Sequence, residues 1–199
     1  MAAGGGGWWR RLRVAAKGFA YSGPGRERWQ LPGRVIEALE LRGGERVADL
    51  GAGGGYFTFR LARAVGPTGR VYAVDTDPDT AWLVEDRASG PDKSNVVPVR
   101  ARPDDPELPE PVDLILLVNA FHHLPSPDGY VRALAGYLRP TGRVAVIEAL
   151  PRWFLFGHAT EPERIRSVLA GAGYVLVATH EFLPRQSFQT FTLPPTGRS

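Results

Sequence analysis

Cysteine is absent from the 199-residue chain. That excludes disulfide scaffolds, thiolate metal sites and cysteine nucleophiles together, and leaves the redox compartment open. A run of about 18 or more apolar residues is also missing, so no segment reads as a bilayer-spanning helix. The opening MAAGGGGWWRRLRVAAKGFA lacks the uninterrupted apolar stretch of a secretory signal peptide, so export is disfavoured and a cytoplasmic location is expected. Lysine is scarce: of 24 basic residues only Lys17 and Lys93 are lysine, a bias that fits GC-rich coding and not a recognition patch.

What is present has the balance of one ordinary globular domain, 43% hydrophobic and 23% charged. The net charge of +3 is unevenly placed. Arg10, Arg11, Arg13, Lys17 and Arg26 make a local +5 in residues 1–26, which hold no acid, so residues 27–199 carry a net −2. A slightly acidic body lacks the cationic groove that a nucleic acid requires. Residues 1–27 are therefore expected to form a basic, flexible arm ahead of a single domain over 28–199. Trp8, Trp9, Leu12, Val14 and Phe19 interleaved with cations suit weak contact with a membrane surface through residues 8–19, or part of a transit peptide in a eukaryote.

From residue 30 the pattern alternates between helical and strand periods, with Gly and Pro at the joints. Helices are expected over 31–41, 55–65, 78–88, 127–138 and 161–172. Strands are expected over 46–51, 70–75, 94–99, 112–121, 143–150, 174–182 and 187–193. VDLILLVNAF (112–121) is a continuous apolar run of the kind buried on both faces at the centre of a parallel sheet. The last two strands are joined by only Leu183 to Gln186, and parallel neighbours need a crossover of about a dozen residues, so the last strand runs antiparallel. The fold expected is α/β, a doubly wound, mostly parallel sheet with an antiparallel last strand.

DLGAGGGYF (49–57) lies between a strand and a helix, where open α/β sheets bind ligands at the carboxyl ends of their strands. Its glycines permit a tight turn and close approach to main-chain N–H groups. A dinucleotide fingerprint starting at Gly51 needs glycine at 56, where Tyr56 stands. The spacing that is met is acid-x-G-x-G-x-G, through Asp49, Gly51, Gly53 and Gly55. An acid just before the turn suits a ligand with an ammonium group better than one with a pyrophosphate. Asp75 closes the second strand 24 residues after Gly51, where a carboxylate accepts the hydroxyls of a ribose, a device shared by nicotinamide enzymes.

This segment resembles motif I of the class I S-adenosylmethionine-dependent methyltransferases, and the order of elements resembles their Rossmann-like seven-stranded fold over residues 28–193. The resemblance implies S-adenosyl-L-methionine as cofactor, held by Asp49, Gly51, Gly53, Gly55, Tyr56 and Asp75, with Thr76 beside the adenine. It implies that Asp104 or Asp105 accepts a hydrogen bond from the adenine amino group, although Ala101-Arg102-Pro103 replaces the commoner residues before the acid. NAFHHL (119–124) resembles motif IV, with Asn119 at the strand tip beside the sulfonium and His122 and His123 beyond it. A broader resemblance is to small bacterial methyltransferases of the ubiquinone/menaquinone type. Tyr21, Trp29 and Gln30 are candidates to cap the cofactor, Trp29 equally a core anchor.

The chemistry implied is transfer of a methyl group to a small-molecule acceptor by in-line displacement, which needs alignment and exclusion of water. A base is needed where the acceptor must lose a proton; His122 or His123, with an ordinary pKa of about 6.5, suits that role. Glu148 is a third candidate, read as an exposed structural carboxylate. Trp153, Phe154 and Phe156 are placed to wall an apolar acceptor pocket or to pack on the sheet edge. The segments typical of amino-methylating DNA enzymes, and the cysteines of cytosine and arsenite enzymes, are missing. No metal is expected. The competing readings are a non-catalytic S-adenosylmethionine-binding or regulatory protein and a nicotinamide-dependent oxidoreductase.

Overall fold

The computed structural model describes residues 25–88, 95–153 and 159–195. The arm over 1–24, with Tyr21, and the segment carrying Phe154 and Phe156 lie outside the described residues. Numbered within those residues, the helices are α1 (Arg26–Gln30), α2 (Pro32–Ala38), α3 (Thr58–Val65), α4 (Pro78–Ala88), α5 (Pro127–Leu134) and α6 (Pro162–Gly171). The strands are β1 (Arg46–Leu50), β2 (Arg70–Asp75), β3 (Val96–Arg100), β4 (Val112–Val118), β5 (Leu138–Ala149), β6 (Val175–His180) and β7 (Gln186–Thr192).

Proline opens four of these helices, at the first-turn position where its missing N–H costs nothing. The seven strands form one sheet in the order β3-β2-β1-β4-β5-β7-β6. All pairings are parallel except those of β7, which runs antiparallel to both β5 and β6. The short link from β6 forces that reversal, as expected, and β7 inserts between β5 and β6.

Alternate side chains of the central strands feed two cores. Ile115, Leu117, Val144 and Val146 pack with Leu134, Ile165 and Phe191 on one face, and Leu114, Leu116, Ala145 and Ile147 with Leu61 and Phe188 on the other. The apolar run of β4 is thus covered on both sides, and it sits at the centre of the sheet.

Among the boundaries that differ from expectation, three have local reasons. β4 ends at Val118 and not at residue 121, because Asn119 takes a left-handed conformation (φ 51°) and Phe121–His123 coils into a 3₁₀ turn. α5 stops at Leu134, and Ala135–Tyr137 tightens into a 3₁₀ turn. β5 begins at Leu138, because a register shift between Val112 and Leu114 gives room for Pro140 within the strand.

Candidate active site

The carboxyl ends of β1, β2 and β4 open onto a crevice of about 720 Å³, a size suited to a small-molecule ligand. Asp49, Gly51, Gly53, Tyr56, Asp75, Thr76, Asn119, His122 and His123 all line it. Gly55 stays within the turn behind the wall. Gly51 explains why the turn must be bare: its φ is 76°, and a Cβ there would meet the Cβ of Ala120 at 2.7 Å.

Asp75 ties the second strand to the turn. Its Oδ2 accepts from the Gly53 N–H at 2.9 Å and its Oδ1 from the Asp77 N–H at 2.9 Å. Each oxygen keeps a further lone pair for a ligand hydroxyl. Asp49 is buried, and the Thr58 hydroxyl donates to its Oδ2 at 2.6 Å. Burial pushes the Asp49 carboxyl up to about 6, with the Thr58 hydrogen bond opposing the rise.

Arg26 joins these acids and was not singled out in the sequence. It lines the crevice and acts electrostatically on Asp49, although burial lowers its own pKa. Its guanidinium lies 3.9 Å from the centroid of the Tyr56 ring, and that of Arg60 lies 4.2 Å from the same centroid. The Tyr56 hydroxyl donates to Glu27 at 3.0 Å. Arg26 also donates to Gln30, which is buried, whereas Trp29 borders the crevice. Local sequence carries no signal for Arg26; only the packing of α1 on the glycine turn brings it in.

Asp104 and Asp105 are not brought to the crevice. The Asp104 side chain is 80% exposed near Arg102. Asp105 accepts from the Tyr137 hydroxyl at 2.7 Å, which holds its pKa low, and from the Glu107 N–H at 2.8 Å. Ala101, Arg102 and Pro103 border the crevice in their place.

Glu148 corrects the sequence reading most. It is fully buried, not exposed, with the 3₁₀ turn Phe121–His123 lying against its carboxylate. Nδ1 of His122 is hydrogen-bonded to its Oε1 at 2.9 Å, and the His122 backbone N–H donates to its Oε2 at 3.3 Å. Desolvation raises the Glu148 carboxyl to about 7, with the backbone N–H groups pulling the other way. Donation from Nδ1 to an ionised Glu148 leaves Nε2 of His122 as an acceptor. The ring of His123 lies 4.0 Å from that of His122, centroid to centroid. Asn119 is fixed by its own contacts, its N–H donating to the Ile147 carbonyl and its Oδ1 accepting from buried Gln186 at 2.8 Å.

The glycine turn, the acid at the tip of β2 and the strand order coincide with a known family: residues 48–144 match the model of a methyltransferase domain. Residues 48–144 belong to the methyltransferase-domain family. It is 32% identical over 153 residues to 27-O-demethylrifamycin SV methyltransferase of Amycolatopsis mediterranei, covering 75% of this chain and 54% of that protein. It is 32% identical over 118 residues to the ubiquinone/menaquinone biosynthesis C-methyltransferase of Pseudomonas aeruginosa, covering 57% of this chain and 45% of that one. The chain thus spans about half the length of these curated relatives. In fold it is similar to a SAM-dependent methyltransferase from Aquifex aeolicus, with a TM-score of 0.80 at 22% identity, over 88% of this chain and 96% of that one. Among the described residues no cluster of metal-ligating side chains occurs, and no helix is long and apolar enough to cross a membrane.

Proposed function

We propose that this methyltransferase domain, spanning residues 28–199, binds S-adenosyl-L-methionine and transfers its methyl group to a small-molecule acceptor. The observation that carries the reading is the joining, in one crevice, of two carboxylates beside a glycine turn with a histidine backed by a buried carboxylate. The donor set fits the cofactor. Asp75 suits the ribose diol, and Asp49 and Arg26, opposite in sign and both on the crevice, suit the ammonium and carboxylate of an amino acid. Thr76, next to Asp75, suits the adenine side, and Ala101 and Arg102 line the crevice in place of Asp104 and Asp105.

The cofactor, when bound, supplies a methyl group on a cationic sulfur, already activated toward displacement. The protein's part is then positional. Asn119, locked by Gln186 and Ile147, fixes the wall at the tip of β4, and Tyr56 and Trp29 line the crevice with aromatic surface. His122 takes at Nε2 the proton an oxygen or nitrogen acceptor loses as it gains the methyl group. Glu148 holds the tautomer and stabilises the imidazolium that forms, so it is a positioning residue.

Thermal-shift measurements test the cofactor directly, since a ligand that binds only the folded state raises the midpoint by mass action. A shift with S-adenosylmethionine and with its demethylated product, and none with NAD or NADP, is expected. Protection by a nicotinamide cofactor instead would select the oxidoreductase reading. Methyl-labelled cofactor incubated with a metabolite extract supplies the second readout: saturable binding with no labelled small molecule would select a non-catalytic binding protein. Normal turnover by both His122→Ala and His123→Ala with the true acceptor would reject catalysis by either histidine.

A further inference from the structure

We infer that the acceptor is a planar carboxylate, recognised by Arg185, which lies near the rings of Trp29 and Trp153 beside the β5–β7 end of the crevice. This rests on the methyl-transfer reading of the same site and names the class of molecule that reading leaves open.

Strand order places Arg185 on the acceptor side. Along the carboxyl edge come Asp75 on β2, Asp49 on β1, Asn119 after β4, Glu148 on β5 and then β7. With strands about 4.8 Å apart, the start of β7 lies about 19 Å from β2 and about 10 Å from β4. Arg185 immediately precedes β7. Its carbonyl accepts from the Leu150 N–H at 3.0 Å, and the next residue, Gln186, donates to Asn119. It therefore stands just beyond the residues assigned to the reacting centre, on the side away from the ribose acid.

The side chain is arranged for recognition. The Arg185 guanidinium carbon lies 5.9 Å from the Trp29 ring centroid and 5.3 Å from that of Trp153. Trp29 lines the crevice, and Trp153 is 51% exposed. Arg139, Arg143, Arg164 and Arg166 each hold a carboxylate. Among the described residues no carboxylate lies within ion-pair distance of Arg185. An exposed arginine within cation–π range of two indoles, with no acid of its own, is held near both rings without being neutralised. A guanidinium so placed keeps its N–H fork for a carboxylate, which it binds bidentately. The indoles in turn offer flat apolar faces to an aromatic ring.

The test uses the full chain saturated with S-adenosylhomocysteine, titrated calorimetrically with 2-naphthoate and with its neutral counterpart 2-naphthamide. The carboxylate is expected to bind at least tenfold more tightly. In Arg185→Gln that preference is expected to fall to within about twofold while affinity for S-adenosylhomocysteine is unchanged, and Arg185→Lys is expected to restore part of it. Equal binding of the two probes, binding of neither, or a preference that survives Arg185→Gln would overturn the inference. Failure of the unaltered protein to bind S-adenosylhomocysteine would instead overturn the cofactor reading on which it rests.

Discussion

The two ends of the sheet treat charge in opposite ways. At the amino ends of the strands, acids are matched by cations: Asp113 meets Arg139 at 3.1 Å, Glu45 meets Arg143 at 3.1 Å, and Glu110 meets Arg46 at 2.6 Å with Tyr72 donating to it as well. There the Glu110 carboxyl is held below its ordinary value, first by the Tyr72 hydrogen bond. At the carboxyl ends, burial pushes Asp49 up to about 6 and Glu148 up to about 7. One end is arranged to hold the strands in register. The other keeps carboxylates whose ionisation costs stability, which is reasonable only if a ligand or a reacting proton uses them.

The largest effect that would sharpen this contrast is at Asp75. Asp75→Ala is expected to abolish the thermal shift with S-adenosylmethionine, a loss of at least about 100-fold in affinity, with the far-ultraviolet circular dichroism of the sheet retained. Unchanged affinity would mean that the nucleoside does not sit at β2. Glu148→Gln comes next. It keeps the shape of the side chain but weakens the orientation of His122, so kcat is expected to fall about 10- to 100-fold with cofactor affinity unchanged. The same change removes a carboxylate that is costly to ionise, so the variant is expected to be more stable than the parent at pH 8. A simple structural role for Glu148 would lower stability and kcat together.

At the opposite end the expectation reverses. Arg143 donates to both oxygens of Glu45 and, at 2.8 Å, to the Leu39 carbonyl, linking β5 to the residues before β1. Arg143→Met leaves Glu45 and that carbonyl without their donor and is expected to cost about 2 kcal/mol. In a domain of this size that is a fall of about 4 to 8 °C in Tm, with kcat and cofactor affinity unaltered. A drop in activity at constant stability would erase the distinction between the two ends.

How much of this was legible before folding depends on the range over which each feature is encoded. The glycine turn and the acids at 49 and 75 are written within single βα units, so spacing alone located them, and the structure gathers them on the crevice. Asn119 and the two histidines follow an unmistakable central strand. Glu148 was read as exposed because a strand's sequence does not say what covers its tip; the 3₁₀ turn after β4 brings His122 onto the carboxylate. Asp104 or Asp105 was expected to meet the adenine, but neither lines the crevice, and Tyr137, 32 positions from Asp105, donates to that acid. Arg26 and Arg185 depend on aromatic partners from other elements, and no local spacing encodes such contacts.

The subtlest difference concerns Asp49 and pH. Its folded pKa of about 6 lies above the ordinary aspartate value of 3.8, so between those values the folded chain binds more protons than the unfolded one. Stability from this group must then fall as pH rises from about 4 to about 6 and stay level above it, the reverse of a salt-bridged acid. Asp49→Asn removes the titration. Relative to the parent, it is expected to show no gain near pH 4 and a gain above pH 6 of at most about 3 kcal/mol, since each unit of pKa corresponds to about 1.4 kcal/mol. Urea unfolding at the two pH values measures this. A ligand ammonium group beside Asp49 stabilises the ionised form, so the thermal shift given by S-adenosylmethionine is expected to be larger at pH 8 than at pH 5.5 in the parent and nearly pH-independent in the variant. An equal pH dependence in both proteins would show that the ligand's charge is read elsewhere, and the raised carboxylate at the turn would then be a cost without a use.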